Sequence, residues 1–105
     1  MNRTKPLPQE LHRLRAEIDA LNREILARLE VRAELVHAIG EIKEALELPT
    51  HDPRREEEML RKLAREASGS LAEIDVRHIF GAIFGVGLEQ QRRRSKRVKS
   101  EGGSS

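Results

Sequence analysis

The sequence contains no cysteine, tyrosine or tryptophan, and it has only two phenylalanines. The lack of cysteine excludes disulfides, zinc–thiolate sites and thiol nucleophiles. The shortage of aromatic residues disfavours an all-β sandwich or barrel, because such folds rely on aromatic and β-branched side chains. No apolar run approaches the roughly 18 residues that a membrane-spanning helix needs, and residues 1–10 lack the apolar stretch of a secretory signal. These absences predict a cytoplasmic protein with no membrane partner.

The composition is typical of solvated amphipathic helices. Leu, Ala, Glu and Arg dominate, and 36% of the 105 residues are charged, which suits one compact helical domain. Six of the 20 basic residues lie in residues 92–99, the basic segment, so the other 14 basic and 18 acidic residues leave a net charge of −4. A basic segment can bind nucleic acid or an anionic membrane, but this one has no aromatic side chain that could stack on bases. We favour a solvated helix end followed by a linker.

Apolar periodicity predicts a long first helix. From Leu11 to Ile39 the apolar residues recur in steps of three and four, and no proline interrupts them before Pro49. The helix is therefore predicted over residues 9–46. At about 1.5 Å per residue it spans roughly 57 Å, whereas a domain of this size is about 33 Å across. Because the apolar face runs to both ends of the helix, we expect a second copy to cover it in an intertwined homodimer.

Two shorter helices are predicted to follow. Asp52 and Pro53 are the residue types of an N-cap and a first helical position, which places a second helix from Pro53 to about Glu66. A third helix is predicted from residues 71–73 to about Arg93. The expected organisation is a disordered N-terminus over residues 1–8, an all-α three-helix domain over residues 9–93, and a basic, Gly/Ser-ended tail or linker over residues 94–105.

Charged residues interrupt these apolar faces. On an ideal helical wheel, Arg32 and Lys43 fall in the middle of the apolar face of the first helix, and Arg15 falls at its edge. In the second helix, Glu56 shares a face with Met59. One interpretation is a buried salt-bridge network that fixes the register of the helices. The other is a ligand site, because an excess of cations that includes planar guanidinium groups suits a carboxylate or a phosphate.

The third helix carries a line of residues one turn apart, Ile83, Gly87 and Gln91, where the small residue permits close approach by a ligand. Other chemical motifs are missing. The nearby glycines lack the Lys-Ser/Thr of a P-loop. The four histidines show no metal-ligand spacing, and no Ser/His/Asp pattern is evident. We therefore expect no metal site.

At these positions the sequence resembles the all-helical class of chorismate mutases. The resemblance covers about residues 8–92, and its motifs occur in the family's order: Leu14-Arg15-Ala-Glu-Ile18-Asp19-Ala-Leu21, Arg32, Gly40-Glu-Ile-Lys43, Asp52-Pro53-Arg54-Arg55-Glu56 and Gln91. Residues 78–90 are similar to the mutase domain that precedes a 3-deoxy-arabino-heptulosonate 7-phosphate (DAHP) synthase. The resemblance thus implies a DAHP synthase domain or subunit as a partner.

The resemblance implies the cofactor-free rearrangement of chorismate to prephenate, a step in aromatic amino-acid biosynthesis. Lys43 and Gln91 would donate hydrogen bonds to the ether oxygen of the breaking bond, and Glu56 would bind the ring hydroxyl, with Asp52 nearby. The reaction is unimolecular, so it needs no nucleophile and no metal.

The same resemblance implies the residues that bind the substrate. Arg32 and the partner subunit's Arg15 would hold the two carboxylates of chorismate. Arg55 would order the start of the second helix. Gly87 stands where family members often have serine, so the backbone or water would replace a hydroxyl contact.

Two other functions stay open at this point. The domain could bind chorismate or prephenate as a feedback signal for a DAHP synthase, with catalysis secondary. Alternatively, a helical dimer could bind nucleic acid through the basic segment.

Overall fold

The chain folds into three α-helices. The computed structural model describes the backbone of residues 6–103 and the side chains of residues 7–96. Within that part of the chain there is no β-strand, which confirms the all-α prediction. The helices are α1 (Pro6–Ala45), α2 (Pro53–Glu66) and α3 (Glu73–Gly103).

Two helix ends differ from the prediction. Helix α1 begins at Pro6 rather than near residue 9, because proline is tolerated in the first turn, where its missing N–H has no helical partner. The rest of the predicted disordered N-terminus lies outside the described residues. Helix α3 continues past Arg93 to Gly103. The backbone of residues 94–103 is therefore helical, and the linker role of this tail stays a prediction.

The chain divides into two compact units, Met1–Leu35 and Val36–Ser105, and the boundary falls inside α1. In the first unit the apolar face of α1 is largely uncovered by the chain itself. Its exposed fractions range from 47% to 55%, for Leu11, Leu14, Ile18, Leu21 and Ile25. On the polar face, Arg13 forms ion pairs with Glu10 at 3.0 Å and Glu17 at 2.8 Å.

Helix α1 ends in a backbone motif that normally uses glycine. The N–H of Leu48 donates to the carbonyl of Lys43 at 2.8 Å, and the N–H of Glu47 donates to the carbonyl of Glu44 at 3.1 Å. Glu47 has a φ of 57°, in the left-handed region. This is the Schellman arrangement, in which the residue after the helix reverses the backbone and pairs the last free carbonyls. It turns the chain sharply just after Lys43.

Helices α2 and α3 begin at capping residues and pack against each other. The Asp52 side chain accepts a hydrogen bond from the N–H of Arg55, as the sequence predicts for an N-cap. At the start of α3, the N–H of Ala72 donates to the carboxylate of Asp75 at 2.9 Å. Val76 is 4% exposed, and an ion pair of 3.1 Å joins Arg77 on α3 to Glu57 on α2. Among the described residues, no helix is long and apolar enough to cross a membrane.

Candidate active site

Lys43 lies in the last turn of α1, and its side chain is half-buried. Its Nζ donates a hydrogen bond to the backbone carbonyl of Thr50 at 3.2 Å. Thr50 belongs to the connection between α1 and α2, so this bond holds the ammonium group close to the start of α2. An ammonium group has three N–H donors. The Thr50 carbonyl therefore leaves donors that a ligand can use.

The start of α2 carries Asp52, Arg55 and Glu56. Oδ1 of Asp52 accepts from the backbone N–H of Arg55 at 3.2 Å, so both residues take part in capping the helix. The side chain of Arg55 is exposed. The capping carboxylate keeps acceptor capacity, since two oxygens offer about four lone-pair sites. Asp52 can therefore cap the helix and still accept a hydrogen bond from a ligand.

Glu56 is half-buried on the same face of α2 as Met59, as the helical spacing predicts. Its Oε1 lies 3.4 Å from Nε2 of His51, a contact that the sequence analysis did not predict. His51 precedes the N-cap residue Asp52 and so lies outside α2, where helical periodicity cannot predict a contact. In residues 7–96, no ion pair joins Glu56 to Lys43, since Lys43 bonds to Thr50 instead. The alternative prediction, a salt-bridge network of Arg32, Lys43 and Glu56, stays a prediction.

Gln91 connects α3 to α1. Its Nε2 donates a hydrogen bond to the backbone carbonyl of Val36 at 2.9 Å, and its side chain is partly buried. One turn earlier on α3, Gly87 is buried, and Ile83 one turn before that is half-buried. The line of residues singled out from the sequence therefore lies on the inner face of α3. The contact with Val36 joins residues 55 positions apart, and no local pattern indicates it.

A groove of about 680 Å³ lies beside Gln91, and its wall also contains Arg94 of α3. Three carboxylates line the α1 side of this groove, from Glu41, Glu44 and Glu47, whereas Lys43 and Glu56 do not line it. A dianionic ligand would be repelled by these carboxylates. As lined by these described residues, the groove therefore lacks the excess of cations that the sequence predicts for the ligand site.

The two remaining predicted site residues belong to the first unit. Arg15 is exposed and Arg32 is half-buried, and both lie on α1. Over the part of the chain that the structure describes, no group of three or more His, Asp or Glu side chains could hold a metal ion.

The sequence matches a known family. The family model described as chorismate mutase type II matches residues 14–92, and the chain belongs to this family. The predicted membership of the chorismate mutase family is confirmed.

Solved structures and curated proteins agree with this assignment. A structure of chorismate mutase from Thermus thermophilus superposes with a TM-score of 0.78 and 42% identity, covering 80% of this chain and 96% of that one. A bifunctional chorismate mutase/prephenate dehydratase from Aquifex aeolicus is 49% identical over 57 residues, which are 54% of this chain and 16% of that protein. A T-protein from Haemophilus influenzae is 40% identical over 68 residues, 63% of this chain and 18% of that protein. The chain thus spans less than a fifth of the length of these two relatives, and neither name mentions a DAHP synthase.

Proposed function

We propose that the chain catalyses the rearrangement of chorismate to prephenate. The observation that carries this proposal is the family match over residues 14–92, which includes every position with an implied role, from Arg15 to Gln91. The reaction breaks one C–O bond and forms one C–C bond within a single molecule. It therefore requires a compact substrate conformer and stabilisation of charge on the departing ether oxygen, with no covalent intermediate.

Lys43 and Gln91 would stabilise the ether oxygen. The ammonium group of Lys43 donates one hydrogen bond to Thr50, and the amide of Gln91 donates one to Val36, so each keeps a further N–H for substrate. A donor that is already held in place loses less freedom when charge develops. Both fixed hydrogen bonds therefore support a catalytic role for these two side chains.

Glu56 would accept a hydrogen bond from the ring hydroxyl of chorismate. Its half-buried position on α2 and its contact with His51 restrict the carboxylate, which supports a role in orienting the ring. Asp52 would lie near the same hydroxyl while it caps α2, and Arg55 would hold the start of the helix through its backbone N–H. Gly87 would offer only backbone to the substrate.

Arg32 and the partner subunit's Arg15 would bind the two carboxylates. Arg15 and Lys43 are 28 positions apart in the sequence, and an ideal helix of that length is about 42 Å long, which is far more than the size of chorismate. A second chain solves this problem if its α1 runs antiparallel in a two-fold dimer. The uncovered apolar face of α1 supports this homodimer, since soluble monomers rarely leave such a face exposed. Light scattering should report about 24 kDa, twice the 12.0 kDa of the chain.

The catalytic proposal is tested by one assay. Purified chain is mixed with chorismate, and the loss of chorismate absorbance is followed. We expect steady multiple turnover without an added metal or cofactor. A chain that binds chorismate in calorimetry but turns it over hardly faster than buffer would instead be a feedback sensor.

The shared site is tested by mixing two inactive variants. Arg15→Ala and Lys43→Ala should each be nearly inactive as homodimers. After they are refolded together, a mixed dimer has one site with both defects and one site with neither. With random mixing, activity should recover to about a quarter of the wild-type value, because half the dimers are mixed and each has one intact site. Chain exchange without recovery would contradict the shared site.

The DAHP synthase partner rests on the resemblance of residues 78–90 alone. It predicts that a DAHP synthase from the same organism, added to the purified chain, changes the mutase kcat or KM. Unchanged kinetics, with no complex seen by light scattering, would argue against this partner.

A further inference from the structure

Gly40 occupies a place in α1 where a larger residue would collide with Gln91. A Cβ atom added at Gly40 would lie 2.7 Å from Nε2 of Gln91 and 3.3 Å from its Cδ. Separations under about 3.0 Å are almost never found for real Cβ atoms. The amide of Gln91 therefore fills the space that a side chain at position 40 would need.

The same amide is anchored to the adjacent turn of α1. Nε2 of Gln91 donates to the carbonyl of Val36 at 2.9 Å, and Val36 lies four positions before Gly40 on the same helix. The amide nitrogen has two N–H groups. One bonds to Val36, which restricts the orientation of the amide, and the second is left for another acceptor. The lack of a side chain at Gly40 lets the amide come close enough to the helix for this bond.

Helix stability alone does not explain why residue 40 is a glycine. Glycine inside a helix is less favourable than alanine, so an unconstrained position would gain stability from a methyl group. Gly85 in α3 is such a position, because a Cβ atom added there would meet no described atom within 4 Å beyond its own stretch of helix. Gly40 differs from Gly85 in having a functional side chain packed directly against it.

We propose that Gly40 is a positioning residue for the mutase reaction, because it lets Gln91 bind the Val36 carbonyl and present its second N–H to the ether oxygen. This inference rests on the proposed function. It assigns to Gly40 a role exerted through Gln91 and no contact with substrate.

The first test is the variant Gly40→Ala, with Gly85→Ala as the matched control. A methyl group at position 40 should displace the amide and lower kcat by about tenfold or more, on the scale of a misplaced donor in the transition state, with KM changed far less. Gly85→Ala introduces the same methyl group into a helix without a nearby side chain. It should leave kcat within about twofold of the parent and raise the melting temperature.

The second test asks whether Gly40 acts through Gln91. In a Gln91→Ala background the clash is absent, so Gly40→Ala should cause no further loss of kcat and should raise the melting temperature. Residues that act through one contact give such non-additive effects. Equal losses of kcat in both backgrounds would show a general structural effect and overturn the inference.

The remaining outcomes separate the inference from the function on which it rests. An active parent chain with a fully active Gly40→Ala variant would overturn the role of Gly40 alone. An active parent with a fully active Gln91→Ala variant would remove the role of both residues. An inactive parent chain would overturn the proposed function itself, and this inference with it.

Discussion

Replacement of Lys43 by alanine separates its contribution to catalysis from its contribution to stability. In the folded chain this side chain makes one hydrogen bond, to the Thr50 carbonyl at 3.2 Å, and it is only half-buried. Its loss should therefore cost about 0.5–1 kcal/mol of unfolding free energy, as for a typical single hydrogen bond. In the transition state the same ammonium group would face a developing negative charge. Its removal should therefore lower kcat by about 100-fold or more, and a 100-fold loss corresponds to about 2.7 kcal/mol of activation free energy.

The assay is steady-state loss of chorismate, combined with circular dichroism to confirm that the variant is helical. KM should change little, because the lost interaction strengthens only in the transition state. Lys43→Gln keeps a neutral N–H donor and should recover part of kcat, since a charged donor forms a stronger hydrogen bond than a neutral one. Lys62→Ala is the matched control, because Lys62 is an exposed lysine on α2 to which no role is assigned. A helical Lys43→Ala variant with near-normal kcat would refute this assignment.

Two further substitutions test the site and the end of α1. Gly87→Ser places a hydroxyl at a buried position on the inner face of α3. We expect this variant to have a lower KM for chorismate in the steady-state assay. An unchanged KM in a folded variant would mean that this position does not reach the substrate. Glu47→Gly relieves the left-handed φ of 57° and should raise the unfolding free energy in urea by about 0.5–1 kcal/mol without changing kcat. A lower unfolding free energy would contradict the strain that we attribute to Glu47.

The helices were predictable where local signals fix them. The Asp52 side chain accepts a hydrogen bond from a free N–H in the first turn of α2, and the ring of Pro53 fixes a helical φ. Helix α2 therefore begins where these two residues predict, and it ends where the apolar spacing predicts. The end of α3 was not predictable in the same way. Arginine, lysine and serine are compatible with a helix, so the basic segment contains no residue that would stop α3 before its C-terminal glycines.

Helical periodicity singled out charged residues of the candidate site, but it could not predict their contacts. The wheel shows that Lys43 and Glu56 share faces with apolar residues, because helical periodicity is a property of neighbouring positions. The acceptors that hold the site residues in place are backbone carbonyls of Thr50 and Val36. Backbone acceptors carry no sequence signature, since every residue has one. Gly40 looks from the sequence like a weak point of α1, and only its distance to Gln91 reveals a reason for it.

A single chain buries few hydrophobic side chains, and this gives a physical reason to link folding with assembly of the site. Among the hydrophobic side chains that the structure describes, Val76 alone is buried, although 37% of the sequence is hydrophobic. Chains of about 100 residues are stable by only about 5–15 kcal/mol even with a full core. The proposed dimer would bury the apolar face of α1 and bring the partner subunit's Arg15 to Lys43 in the same step. The surface that stabilises the fold would then be the surface that completes the active site, which explains why cations interrupt an otherwise apolar helix face.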